Sequence, residues 1–191
     1  MKKHILLAVG ICFALFAFIA CSDDDTDTTE TSVADYTNVT ANIDDQVRAC
    51  FNATNAFRTG REAYYVNEDN TTTTNLVGRL SELTLDDDLC KAAQIRANEI
   101  VKNFSHTRLD GSSCFTVLSD LGISYSLVGE NIAAGKSTGE ATFTQWKEDG
   151  EPYSGQGHRR NMLGDYTKVG IAYTYDAGST YKYYWTMILT K

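Results

Sequence analysis

The sequence predicts an α+β domain in which helices come first and an antiparallel sheet comes last. Two observations carry this. Apolar residues between positions 85 and 104 recur at helical spacing, whereas those between 169 and 189 alternate every second residue. Helices followed by a run of strands is the pattern of the α+β class.

The N-terminal segment precedes that domain. MKKHILLAVGICFALFAFIAC has two early lysines, an apolar run from Ile5 to Ala20 and a small residue before Cys21. This is the organisation of a secretory signal peptide over residues 1–20. The run falls short of the roughly 20 residues that a spanning helix needs. Phe18-Ile19-Ala20-Cys21 resembles a bacterial lipobox, with Phe18 where Leu is usual. The resemblance implies cleavage before Cys21 and a diacylglycerol anchor on its thiol, placing the protein on a membrane through lipid. The following SDDD resembles the acidic tag of Bacteroidetes-type lipoproteins at the outer face of the outer membrane.

The 191-residue chain has 17 basic and 25 acidic side chains and a formal net charge of −8. Eight of the acids precede Arg48, so the acidity belongs to the segment before the domain. Residues 21–45 are rich in Asp and Thr and poor in large apolar side chains. They are expected to form a disordered tether, because they bury too little surface to offset the entropy of ordering. From Gln46 onward the balance is 15 basic against 17 acidic, and no basic cluster is present. That argues against nucleic-acid binding.

Residues 46–191 are long enough for one domain with a real core. Val47, Phe51, Thr54 and Arg58 recur at helical spacing, and Gly60 offers a stop. Asn55 and Arg58 are expected to brace the core through buried hydrogen bonds. NEDNTTTTN (67–75) reads as a polar loop. In LDDDLCKAAQIRANEIVKNF (85–104), acids crowd the first turn, and Leu89, Ala93, Ala97, Ile100, Val101 and Phe104 form one face. SSCFTVLSDLG (112–122) reads as a short serine-capped helix ending at Gly122. Ser137-Thr138-Gly139-Glu140 fits a capping box for a helix that carries Phe143 and Trp146 and stops at Gly150. Val169, Ile171, Tyr173 and Tyr175 then alternate with smaller residues. After DAGST, so do Tyr181, Tyr183, Trp185, Met187 and Leu189, as in a hairpin. Cys50, Cys90 and Cys114 allow at most one internal disulfide, with three possible pairings.

After removal of residues 1–20 only His106 and His158 remain as histidines. Both lie beside Gly or Ser, in NFSHTRLDG and SGQGHRRNML, just outside helices. Such loops are where binding groups usually lie. Glu130 stands in VGENIAAG between Gly129 and Asn131, at the edge of an apolar run. Other catalytic patterns fail. Pro152 removes a GxSxG elbow around Ser154, Arg160 occupies the third glycine position of a GxGxxG, and HExxH is absent.

Several motifs, in order, resemble the CAP superfamily of cysteine-rich secretory, antigen 5 and pathogenesis-related proteins, in its bacterial SCP-type branch. They are NAFR (55–58), FSHTRLDGSSCFTVL (104–118), GENIAAG (129–135), GHRRNML (157–163), TKVGIAY (167–173) and YYWTMIL (183–189). The resemblance covers about Gln46 to Lys191. It implies an α-β-α sandwich with a small antiparallel sheet between helical layers, and a central cleft holding two histidines and two acids. His106, Glu130 and His158 take three of those places. The second acid usually follows the tryptophan by three residues, which is Asp149 after Trp146, with neighbouring Glu148 as the alternative. EDGEPYSGQGH is a few residues longer than the bacterial pattern, so both remain candidates. Ser105 and Asn131, beside the motif residues, are expected in the cleft wall.

Two imidazoles and a carboxylate with an open position suit a divalent metal such as zinc. His106, His158 and Glu130 are therefore the expected ligands. A bound zinc could polarise a carbonyl or acidify a water. The resemblance favours a cleft that binds metal or a small ligand over an enzyme, since the family is not reliably catalytic. Tyr125, Tyr153 and Trp146 are candidates to line an apolar route to it. The alternatives are a metal-assisted hydrolase of peptides or cell-envelope material, and a protein partner bound on the outer surface.

Overall fold

The computed structural model describes residues 35–191. The expected signal peptide, the Cys21 anchor and most of the acidic tether therefore lie outside the described residues. Five α-helices and six strands follow one another as α1 (Asp45–Thr59), β1 (Tyr64–Val66), β2 (Thr73–Asn75), β3 (Thr84–Leu85), α2 (Asp87–Lys102), α3 (Thr116–Asp120), β4 (Val128–Ala134), α4 (Gly139–Lys147), α5 (Gly157–Met162), β5 (Lys168–Tyr175) and β6 (Tyr183–Thr190). Among the described residues no helix is long and apolar enough to cross a membrane.

The main sheet has the order β3-β5-β6-β4. Strand β6 runs antiparallel to both β4 and β5, and the two-residue β3 adds a parallel edge. Alternation along the strands decides which layer each side chain meets. Val169, Ile171, Trp185, Met187 and Leu189 share a core with Val47, Cys50 and Phe57 of α1 and Trp146 of α4. Ala172 and Ile188 point the other way, into Leu89, Ala92, Ala93 and Ile95 of α2. The result is the expected α-β-α sandwich. Gly170 lets α2 lie directly on β5, because a Cβ there would stand 2.0 Å from the Leu89 carbonyl carbon.

Buried polar side chains tie the layers together. Asn55 exchanges two hydrogen bonds with the Leu83 backbone, at 3.0 and 2.8 Å. Arg58 donates to four carbonyls, those of Ser81, Met162, Gly164 and Tyr166. Both residues brace the core as the sequence suggested. Arg58 also fixes the chain that leaves α5, which carries His158.

Local expectations fail at several points. The tract 67–75 is not all loop, since Thr73–Asn75 pairs with Tyr64–Val66. Helix α4 is capped by Thr138, whose side chain accepts from Ala141 N, and not by Ser137. The helix ends at Lys147, with Glu148 in the left-handed region (φ 50, ψ 46), before Gly150 is reached. Helix α3 is only five residues long, and no serine side chain caps it. Phe104 is exposed, off the α2 core. Order also begins before residue 46. Tyr36 and Val39 pack against the α2–α3 cluster, and Asp44 caps α1 while accepting from Tyr173 Oη at 2.7 Å.

Cys50, Cys90 and Cys114 are all buried free thiols. Burial pushes them up to about 12, about 11 and about 12 respectively, so thiolate is scarce at neutral pH. Iodoacetamide is expected to leave all three unmodified in the native protein and to alkylate all three in denaturant, as read by peptide mass mapping. Labelling of any one of them under native conditions would contradict this packing.

Candidate functional site

Strand β4 places Glu130 on the α2 side of the sheet, where its side chain is 1% exposed. A buried carboxylate requires a partner, and α2 supplies Arg96. Arg96 belongs to the inward face of α2, three residues after Ala93 and four before Ile100. Its guanidinium grips Glu130 through Nε–Oε2 at 2.8 Å and Nη2–Oε1 at 3.3 Å. It also reaches Glu99 Oε2 at 2.5 Å and the Ser105 carbonyl at 2.7 Å. Fork-shaped pairing of this kind fixes geometry as well as charge.

The chain leaving α2 sets His106 against that pair, with Nδ1 2.7 Å from Glu130 Oε1. Burial alone would raise the Glu130 carboxyl. The His106 and Arg96 hydrogen bonds and the Arg96 charge outweigh it and hold the group below its ordinary value. The buried Cys114 thiol faces the same carboxylate.

His158 is built in the same way from the other helical layer. Its Nδ1 hydrogen-bonds with Glu148 Oε1. Glu148 Oε2 accepts from the backbone N–H of His158 at 3.1 Å and of Arg159 at 3.3 Å. The left-handed conformation at Glu148 is uncommon for a residue with a side chain, and here it coincides with a carboxylate that engages α5 three ways. Asn131 Nδ2 donates to the His158 carbonyl at 3.1 Å, and Asn161 Nδ2 donates to Asn131 Oδ1 at 2.9 Å.

Both histidines line one cleft of about 490 Å³ together with Glu130, Glu148, Ser154 and Arg160. His106 is the more open, its side chain 56% exposed. Neither Nε2 makes a hydrogen bond among the described residues, so each ring has one oriented nitrogen and one unengaged. An imidazole held at Nδ1 by a carboxylate is the usual support for a metal-ligating histidine, so each ring presents the donor type that a divalent ion such as zinc takes.

The remaining sequence candidates separate. Asp149 lies outside this cleft and binds Arg159 Nη1 at 2.7 Å and Lys147 Nζ at 2.9 Å. It lines a separate cavity of about 410 Å³ with Tyr64, Asn70 and Arg159. Glu148 is the acid that meets His158, because the chain leaves α4 in a left-handed turn at that position. Asn131 is fully buried and joins β4 to α5, while Ser105 contributes its carbonyl to Arg96. Neither forms the cleft wall. Trp146 is core, donating from Nε1 to the Ile132 carbonyl at 3.2 Å. Within the described residues, the one set of three or more ligand-type atoms lying within 4.8 Å of each other is His106, Cys114 and Glu130, without His158. Both Glu130 oxygens are already engaged, Oε1 by His106 and Arg96 and Oε2 by Arg96.

Sequence reading missed Arg96, Arg159 and Arg160. A charged residue on the apolar face of α2 was the available signal for the first. Arg159 is buried, its guanidinium 4.7 Å from the Phe57 ring centroid and 4.9 Å from that of Tyr64.

A sandwich whose cleft joins two histidine–glutamate pairs defines a CAP-type domain, and the comparisons agree. The cysteine-rich secretory protein (CAP) family model matches residues 51–189, and the chain belongs to that family. It is 34% identical over 103 residues to the uncharacterised protein YkwD of Bacillus subtilis (strain 168), covering 52% of this chain and 37% of that relative. Among solved structures, an SCP-domain extracellular protein of Bacillus anthracis is 25% identical over 60% of this chain and 35% of its own, with a TM-score of 0.49. An outer surface protein of Borrelia burgdorferi covers 80% of this chain and 96% of its own at 16% identity, with a TM-score of 0.55, and shares the fold.

Proposed function

We propose that this protein is an exported, membrane-tethered binding module whose cleft takes a divalent metal or a small ligand. His106 and His158 offer Nε2, and Glu130 and Glu148 orient the rings. The observation that carries this reading is the double histidine–glutamate arrangement, with both rings facing one cleft. Zinc is the first candidate by ligand chemistry. Cys21 would hold the protein to the membrane by lipid, and the outer-surface location named for the Borrelia structure is compatible with display outside the cell. A carboxylate that serves a hydrolase as general base must be free to take a proton. Glu130 and Glu148 are both engaged by imidazoles, which favours binding over turnover.

Calorimetric titration of the purified protein with zinc is expected to give about one equivalent bound. His106→Ala and His158→Ala should each weaken binding by at least about tenfold, roughly 1.4 kcal/mol. Unaltered affinity in either variant would remove that residue from the site. No zinc binding by the wild type would retire the metal reading.

A further inference from the structure

Charge on the cleft wall is unevenly satisfied. Glu130 is matched by Arg96 and His106, and Glu148 by His158 and two backbone N–H groups. Arg160 has no carboxylate within 4.0 Å among the described residues. Its guanidinium carbon lies 3.9 Å from the Tyr153 ring centroid, and Nη1 donates to the Tyr153 carbonyl. Tyr153 is itself pinned, since its N–H donates to Asn70 Oδ1 at 2.8 Å. Glu68 and Asp69 line a neighbouring cavity with Arg160, yet neither comes within ion-pair reach, and Asp69 is turned to Thr71 and Thr72. Ser154, in the same wall, is exposed, and its hydroxyl has no hydrogen-bond partner among the described residues.

We infer that the cleft takes an oxyanion, a carboxylate or phosphate group of a small ligand, with Arg160 as its fixed charge partner and Ser154 as a second donor. A stacked guanidinium keeps its fork of N–H donors in place for a planar or tetrahedral anion. The inference deepens the proposed function and rests on the cleft being a ligand site.

The test is a titration of the metal-free protein with inorganic phosphate and, separately, with acetate, following the Arg160 Nε–H resonance by NMR and affinity by calorimetry. At least one anion is expected to shift that resonance, with affinity falling about tenfold in Arg160→Gln and recovering in part in Arg160→Lys. Acetate alone acting would identify a carboxylate ligand, and phosphate alone a phosphate ligand. An unmoved Arg160 resonance with both anions, or equal affinity in Arg160→Gln, would overturn the inference. Thermal melts of both variants, expected to match the wild type, check that they fold. Zinc titration without anion is read separately. Failure there with Arg160-dependent anion binding intact would sink the metal reading and leave this one standing, and the opposite pattern would do the reverse.

Discussion

Arg96→Met is expected to destabilise the protein by about 3–5 kcal/mol at neutral pH, the usual cost of stranding a buried charge by removing its partner. Methionine fills much of the same volume, so the loss is electrostatic more than steric. Glu130 would then keep only His106, itself largely exposed, and the weak donor Cys114, while Glu99 and the Ser105 carbonyl lose donors. The sign with pH follows from the carboxyl. In the wild type Glu130 is held low, so its contribution is present above the unfolded value of about 4.3 and is lost as pH falls through the folded value. In Arg96→Met burial is opposed by less, the carboxyl moves upward, and the penalty should shrink as acid neutralises it. Urea unfolding of both proteins at pH 7 and near pH 4.5 reads both effects. A loss below about 1 kcal/mol at pH 7 would show that water, and not Arg96, supports Glu130.

Gly170→Ala is the second large effect, and it acts through packing alone. The new Cβ would lie 2.0, 2.2 and 2.5 Å from the Leu89 carbonyl carbon, the Leu89 oxygen and Cys90 N. All three are backbone atoms of α2, so no side chain can swing away, and helix and sheet must part. Overpacking usually costs about 1–3 kcal/mol, and this position should fall at or above the top of that range. For a chain of this size about 3 kcal/mol corresponds to a fall in Tm of roughly 6–12 °C. Gly157→Ala is the matched control. No atom lies within 4 Å of its Cβ, so its stability should stay within about 0.5 kcal/mol of the wild type. Equal Tm values for the two variants would refute this account of the α2–sheet contact.

The parts of the fold legible in the sequence are those with a strong period. Helix α2 and the β5–β6 hairpin stand out because each buries one face, and burial imposes spacing on the apolar residues. The short elements carry no such pattern. Strands β1 and β2 contribute three residues each, too few to show alternation. The two histidines and Glu130 were readable from local wording, but the second acid was not. Whether Glu148 or Asp149 reaches His158 depends on a left-handed backbone at a non-glycine residue, which propensity does not announce. Arg96 was hidden for a different reason. On a helix its spacing is that of the core, and although Glu99 three residues on is a local partner, the carboxylate that meets its buried Nε stands 34 residues away in sequence.

The position of Glu130 and Asn131 next to each other on β4 has a further consequence. Consecutive strand residues face opposite sides, so one peptide unit reaches both layers: Glu130 steadies His106 from one, and Asn131 holds the His158 backbone from the other. The strand works as a calliper, with its jaws set by a covalent distance that evolution cannot easily stretch. Segments such as 149–156 can lengthen, shorten or change chemistry around it while the two anchoring side chains stay one peptide unit apart. Relatives sharing this strand should therefore vary in what lines the cleft more than in how wide it opens.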